Sequence, residues 1–148
     1  MERAPETLVV DASVVVKWFV PEEDSEKAVR LRDRHVEGSL TLTAPDLVIY
    51  EVINALTHHP EVSDEDLHRD VEALFMIDLD LVPPSTDLMI SISERARKLS
   101  ISIYDSSYLT LAELLATNLV TADKRLHEKA EDKGLVLMLE DLNHNWTL

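Results

Sequence analysis

Short apolar runs alternate along this chain with longer segments whose apolar positions recur every three or four residues. Thr7 to Asp11 (TLVVD) is a short run of the kind a buried strand requires. Leu40 to Thr43 alternates and predicts a second strand. Asp78 to Val82, ended by Pro83-Pro84, predicts a third. Asn118 to Thr121 and Leu135 to Leu139 predict the fourth and fifth. Helical spacing fills the intervals. Ser13 to Val20 opens a helix that Pro21 interrupts. Glu22 to Val36 reads as a charged surface helix with Ala28, Leu31 and His35 inward, and Gly38 follows as its stop. Asp46 to Leu56 places Val48, Val52 and Ala55 on one face. Ser63 to Asp66 forms a capping box, after which Leu67, Val71, Leu74 and Phe75 repeat at helical spacing. Ser85 or Thr86 caps a helix that turns Leu88, Ile92, Ala96 and Leu99 inward. Asp105 to Ala116 and Asp123 to Lys133 predict two more helices. Gly134 follows the second at the position where a positive φ is wanted.

Helices thus separate successive strands, and no hairpin signal occurs. That order marks an α/β fold with a parallel five-stranded sheet covered on both faces by helices. No repeat or low-complexity linker divides the chain, so residues 1–148 are expected to form one domain. The chain has no cysteine, which removes disulfides, thiolate metal sites and cysteine nucleophiles. No apolar run approaches the roughly 18 residues that cross a bilayer. The opening Met1 to Thr7 lacks the basic and apolar parts of a signal peptide, so a soluble cytoplasmic protein without membrane contact is expected. The formal charge is −15, which opposes broad electrostatic binding of a polyanion. Aromatic residues make up only 5%, so base-stacking platforms are scarce.

Candidate chemistry lies in four carboxylates, Asp11, Glu51, Asp105 and Asp123, spaced 40, 54 and 18 residues apart. Ligands of open parallel sheets bind beyond the carboxyl ends of the strands. Asp11 ends the first strand there, and Asp123 lies just past the fourth. Asp11 is flanked by apolar residues on both sides, where an uncompensated charge is costly. Glu51 follows Val48 by three and precedes Ala55 by four, which puts it on or beside the apolar helix face. Asp105 and Asp123 each also suit a helix cap. Clustered carboxylates repel, by about 4 kcal/mol per pair at ~4 Å and an effective dielectric near 20. Either protons or a cation must offset this. An all-oxygen donor set without cysteine or convergent histidine favours Mg²⁺ or Mn²⁺ over zinc. Such ions suit phosphoryl chemistry, and they supply positive charge inside an acidic protein.

Four stretches then resemble one family. Val9 to Phe19 (VVDASVVVKWF) resembles the opening of PIN-domain ribonucleases, particularly the VapC toxins of toxin–antitoxin pairs. Pro45 to Leu56 (PDLVIYEVINAL), Tyr104 to Ala112 (YDSSYLTLA) and Leu119 to Leu126 (LVTADKRL) resemble the second, third and fourth motifs, in family order. The resemblance implies a five-stranded parallel PIN-like sheet, Mg²⁺ or Mn²⁺ dependence, RNA hydrolysis, a homodimer and an antitoxin partner. By position, Asp11, Glu51 and Asp105 match the metal ligands, and Asp123 matches the fourth acid. Ser13 and Thr121 match small polar positions that accompany the acids. Asn54, one turn after Glu51, is a further candidate to orient a ligand. Ser106 departs from the alanine frequent in the family, adding a hydroxyl next to Asp105 in sequence.

Lys17, in an apolar stretch about two turns from Asp11, is the candidate for RNA phosphate contact. Lys124, Arg125, Arg95, Arg97 and Lys98 read as solvated charge. His58-His59 diverge on a helix and suit its end better than a metal. Trp18, Phe19, Val52 and Phe75 read as core or dimer-interface residues. Two functions compete: a metal-dependent endoribonuclease, and a catalytically silent PIN-like scaffold that binds a partner protein. A signalling receiver domain is set aside. It needs an aspartate at the end of the third strand and a lysine after the fifth, and neither is present.

Overall fold

Five parallel strands carry the molecule, and the reason lies in their composition. β1 (Glu6–Val10), β2 (Leu40–Pro45), β3 (Asp80–Val82), β4 (Leu119–Thr121) and β5 (Val136–Met138) pair in the order β3-β2-β1-β4-β5. The computed structural model describes residues 6–143; the opening before Glu6 and the tail from His144 lie outside them. Leu8, Val9 and Val10 of the central strand are wholly buried, because helices cover both faces. Each such side chain contributes about 1.5–3 kcal/mol by leaving water. Leu8 pairs in register with Leu42, and Val10 with Val120.

The chain winds from β1 through β2 to β3 on one side, then returns to β4 and β5 on the other. The order therefore reverses between β1 and β4. Folds of this kind bind their ligands at that switch point, outside the carboxyl ends of the strands.

The helices are α1 (Ala12–Val15), α2 (Ser25–Glu37), α3 (Leu47–Thr57), α4 (Asp64–Ile77), α5 (Thr86–Leu99), α6 (Ile103–Leu114) and α7 (Lys124–Lys129). Ser63 and Asp66 form the expected capping box of α4, and Ser85 rather than Thr86 caps α5. Gly38 ends α2 at φ 87°. In α2, Ala28 and Leu31 are buried. His35 Nδ1 accepts the Leu42 amide at 2.9 Å, which leaves Nε2–H to donate to the Asp78 carbonyl at 3.0 Å. Trp18 is buried, and its Nε1 donates to the Ala28 carbonyl at 2.8 Å.

Several expected details differ. The first helix tightens into a 3₁₀ turn over Val16–Trp18, ending before Pro21. The last helix stops at Lys129, and Gly134 falls inside a short 3₁₀ turn (Lys133–Leu135) without a positive φ. Asp132 accepts the Gly134 amide there, so the chain turns by a side-chain bond instead of a left-handed residue. Phe75 and Ala55 are exposed; Leu74 is buried as expected, and Leu56 takes the inward position beside Ala55. A one-residue error in helical phase rotates a side chain by about 100°, enough to move it from core to solvent.

Candidate active site

Asp11 stands at the carboxyl end of β1 as the N-cap of α1, 5% exposed, and its carboxylate accepts the Val14 amide. Ser13 Oγ donates to Asp11 Oδ1 at 2.6 Å, and Thr121 Oγ1 donates to Oδ2 at 2.5 Å. Those hydroxyls are themselves held. The Ala122 amide donates to Ser13 Oγ at 2.9 Å, and the Asp123 amide to Thr121 Oγ1 at 3.0 Å. Two backbone amides beyond β4 therefore fix two hydroxyls, which fix both oxygens of one acid. Burial nonetheless pushes the Asp11 carboxyl up to about 6, against the pull of these donors and with the Asp123 charge adding to the rise.

Asp123 caps α7 by accepting the Arg125 amide at 3.0 Å, so it has a structural task as well as its place beside Asp11. Arg125 Nε lies 3.8 Å from it on an exposed side chain, a contact that water largely screens. Glu51 lies on the second turn of α3, partly buried. Asp105 lies in the first turn of α6, where the helix dipole favours a negative charge. It is not the cap: Ser102 takes that role by accepting the Asp105 amide at 3.0 Å. Glu51 is raised from its ordinary value, chiefly by burial and also by the neighbouring Asp105 charge, while the Tyr108 bond opposes the rise.

The four acids thus couple electrostatically as two pairs, Asp11 with Asp123 and Glu51 with Asp105. Tyr108 feels a charge from each pair, Glu51 and Asp11. Its ring is 2% exposed, and its hydroxyl donates to Glu51 Oε1 at 2.5 Å. Burial, the Glu51 bond and the nearby Asp11 charge all push that phenol far above its ordinary value, so it remains a neutral donor. Tyr108 escaped the sequence reading. The available signal was its spacing, three residues after Asp105 and so on the same face of α6.

Among the described residues, no three Asp, Glu or His side chains are drawn into a group able to hold a metal ion as they stand. The donor chemistry still fits a hard divalent cation. It is all oxygen, and among the described residues no lysine or arginine pairs with Asp11, Glu51 or Asp105. A cation is what would offset the cost of ionising these groups.

Other candidates lie elsewhere. Asn54 is exposed, and its side chain bonds none of the four acids. Lys17 Nζ donates to the Glu23 carbonyl at 2.8 Å, across the loop that leads to α2. Ser106 is buried and donates to the Ile92 carbonyl at 2.7 Å, so its hydroxyl serves the α5–α6 contact and not the site. Arg95 pairs with Glu113, and Lys98 with Glu131 at 3.1 Å, consistent with ordinary surface charge.

The PIN-domain family model matches residues 8–132, which includes every acid just described. The chain belongs to the PIN-domain family. Ribonuclease VapC3 of Pyrobaculum aerophilum is 33% identical over 126 residues, covering 82% of this chain and 93% of that protein. The crystal structure of PAE2754, also from Pyrobaculum aerophilum, superposes with a TM-score of 0.65 at 25% identity, covering 93% of this chain and 91% of that one. Mycobacterium tuberculosis VapC20, a sarcin–ricin-loop-cleaving toxin, superposes with a TM-score of 0.65 at 14% identity, covering 85% and 97%. This PIN domain is VapC-like in sequence, and its five-stranded parallel sheet is the fold of these neighbours.

Proposed function

We propose that this PIN domain is a divalent-metal-dependent endoribonuclease that hydrolyses RNA phosphodiesters as the toxin of a toxin–antitoxin pair. The observation that carries the reading is Asp11. It is a buried acid with no cationic partner among the described residues, held by two hydroxyl donors at the carboxyl end of β1, with the Asp123 charge acting on it. Capping α1 takes only the Val14 amide; the two hydroxyl donors beyond it fix both oxygens, as the groups behind a metal ligand do. Similarity to Ribonuclease VapC3 supports RNA as the substrate.

Asp11, Glu51 and Asp105 would hold Mg²⁺ or Mn²⁺, with Asp123 as the fourth acid. The cation would neutralise charge on the phosphate and leaving oxygen and make water nucleophilic at neutral pH. Ser13 and Thr121 orient Asp11. A carboxylate not engaged in binding would take the proton from the attacking water. One phosphorus–oxygen bond forms as another breaks, with no covalent enzyme intermediate.

A homodimer and an antitoxin partner belong to the same reading, as does a cytoplasmic, single-domain protein. The net charge of −15 suits a basic antitoxin segment. Val36 and Met76, 65% and 84% exposed, border an apolar groove between α2 and α4, and exposed apolar patches of this kind mark interaction surfaces. Among the described residues, no helix is long and apolar enough to cross a membrane.

The test is cleavage of a mixed RNA pool with and without Mg²⁺ or Mn²⁺. Cleavage is expected only with the ion. Asp11→Asn and Asp105→Asn should each lower the rate by about 100-fold or more, since even residues behind the ligands cost about 10–100-fold. Full activity in either variant, or in chelator, defeats the proposal. Absence of divalent binding by calorimetry would favour the silent scaffold.

A further inference from the structure

Resting on that metal-site reading, we propose that Tyr108 is a positioning residue. It engages Oε1 of Glu51 and so presents Oε2 to the divalent cation. Glutamate has three side-chain torsions, and Glu51 is only partly buried, so packing alone does not hold its carboxylate. Among the described residues it has no lysine or arginine partner either. What holds it is a short bond from a phenol whose ring is almost fully enclosed and cannot swing away.

The placement of Tyr108 extends the effect beyond one bond. It follows Asp105 by one turn of α6, so a single rigid helix sets the direction of both the Asp105 carboxylate and the Glu51 orienting group. The same hydroxyl lies within reach of the Asp11 charge and the Ala12 amide. It therefore bonds Glu51 and feels Asp11 as a neutral donor, adding no charge of its own. A lysine there would quench the field that attracts the cation. A phenylalanine would leave the carboxylate free to rotate.

A merely structural tyrosine would also need an acceptor, and Glu51 would supply it. The two roles differ in what the hydroxyl changes. Mn²⁺ titration by calorimetry and by electron paramagnetic resonance, on wild type and Tyr108→Phe, separates them. Tyr108→Phe keeps the ring in place, and its Mn²⁺ affinity should fall about tenfold. Its RNA cleavage should need correspondingly more Mn²⁺ but approach the wild-type rate at saturation. Mn²⁺ affinity within twofold of wild type overturns the proposal, whatever happens to the melting temperature. If Tyr108→Phe does not fold, wild-type protein labelled with 3-fluorotyrosine answers the question. The fluorine resonance of Tyr108, assigned by elimination with Tyr50→Phe and Tyr104→Phe, should shift on adding Mg²⁺, and an unmoved resonance counts against the role. Wild type that binds no Mn²⁺ defeats the metal-site reading itself, a different result from wild type and variant binding equally.

Discussion

The carboxyl of Asp11 carries an electrostatic cost that the fold imposes and its neighbours only partly relieve. Held at about 6 in the native state against an ordinary 3.8, it retains its proton where the unfolded chain releases one. Between about pH 4 and 6 the native protein thus binds more protons than the unfolded chain, and stability falls as pH rises through that window. The contribution is present in full below the ordinary carboxylate range and is lost above about 6. It amounts to about 3 kcal/mol for the metal-free protein. Asp11→Asn removes the titration. Denaturant unfolding in chelator, from pH 4 to pH 7, should therefore show wild type losing stability relative to Asp11→Asn as pH rises. Parallel curves for the two proteins would contradict this account. Much of the residue scale was legible beforehand. An aspartate flanked by apolar residues at a strand end announces an unusual environment, and the family motifs marked Ser13 and Thr121 beside it. Tyr108 was not legible, because an aromatic at helical spacing among Leu109, Leu111 and Ala112 reads as core packing.

α6 does more than connect strands. Its first turn carries Asp105 and its second Tyr108, while its far end must stop sharply so that β4 can begin at Leu119. The stop is a left-handed Ala116 at φ 52°, with the Thr117 amide returning to the Ala112 carbonyl at 3.0 Å. A left-handed residue bearing a Cβ costs about 1–2 kcal/mol, and glycine avoids that cost. Ala116→Gly should therefore raise thermal stability by about 1 kcal/mol with cleavage unchanged, measured by calorimetry. A fall in stability would show that this turn is not where the strain lies. Periodicity placed α6 two residues late, at Asp105. The true start is set by Ser102, whose hydroxyl accepts the Asp105 amide. A pattern of apolar positions carries no information about the polar residue that ends it. Gly134 failed as a signal for a related reason. An aspartate side chain closed that turn, and a glycine needed no positive φ there.

For the molecule as a whole, an acidic protein that acts on a polyanion requires local positive charge at the site. With a net charge of −15, long-range attraction to RNA is absent, and the proposed cation would supply positive charge locally at its site. A ligand that binds only the native state stabilises it, so Mg²⁺ at a hundred times its dissociation constant should add about 2.7 kcal/mol. Differential scanning calorimetry checks this, with sodium chloride at equal ionic strength as the control. Equal stabilisation by the sodium salt would reduce the effect to screening of surface repulsion.

The amino-acid order by itself determined the class of fold. Apolar runs separated by amphipathic segments have one efficient burial, a parallel sheet between helices, and that preference is local and repeated along the chain. It also placed Asp11 at the end of the first strand and Asp123 just past the fourth. Only the tertiary structure decided that β4 and not β3 lies beside β1, which brings Thr121 across 110 residues of sequence to the Asp11 carboxylate. It alone set the Tyr108 hydroxyl against Glu51, 57 residues away. The physical reason is that strand order and side-chain convergence follow from the summed burial of all the elements at once. No local window contains that sum.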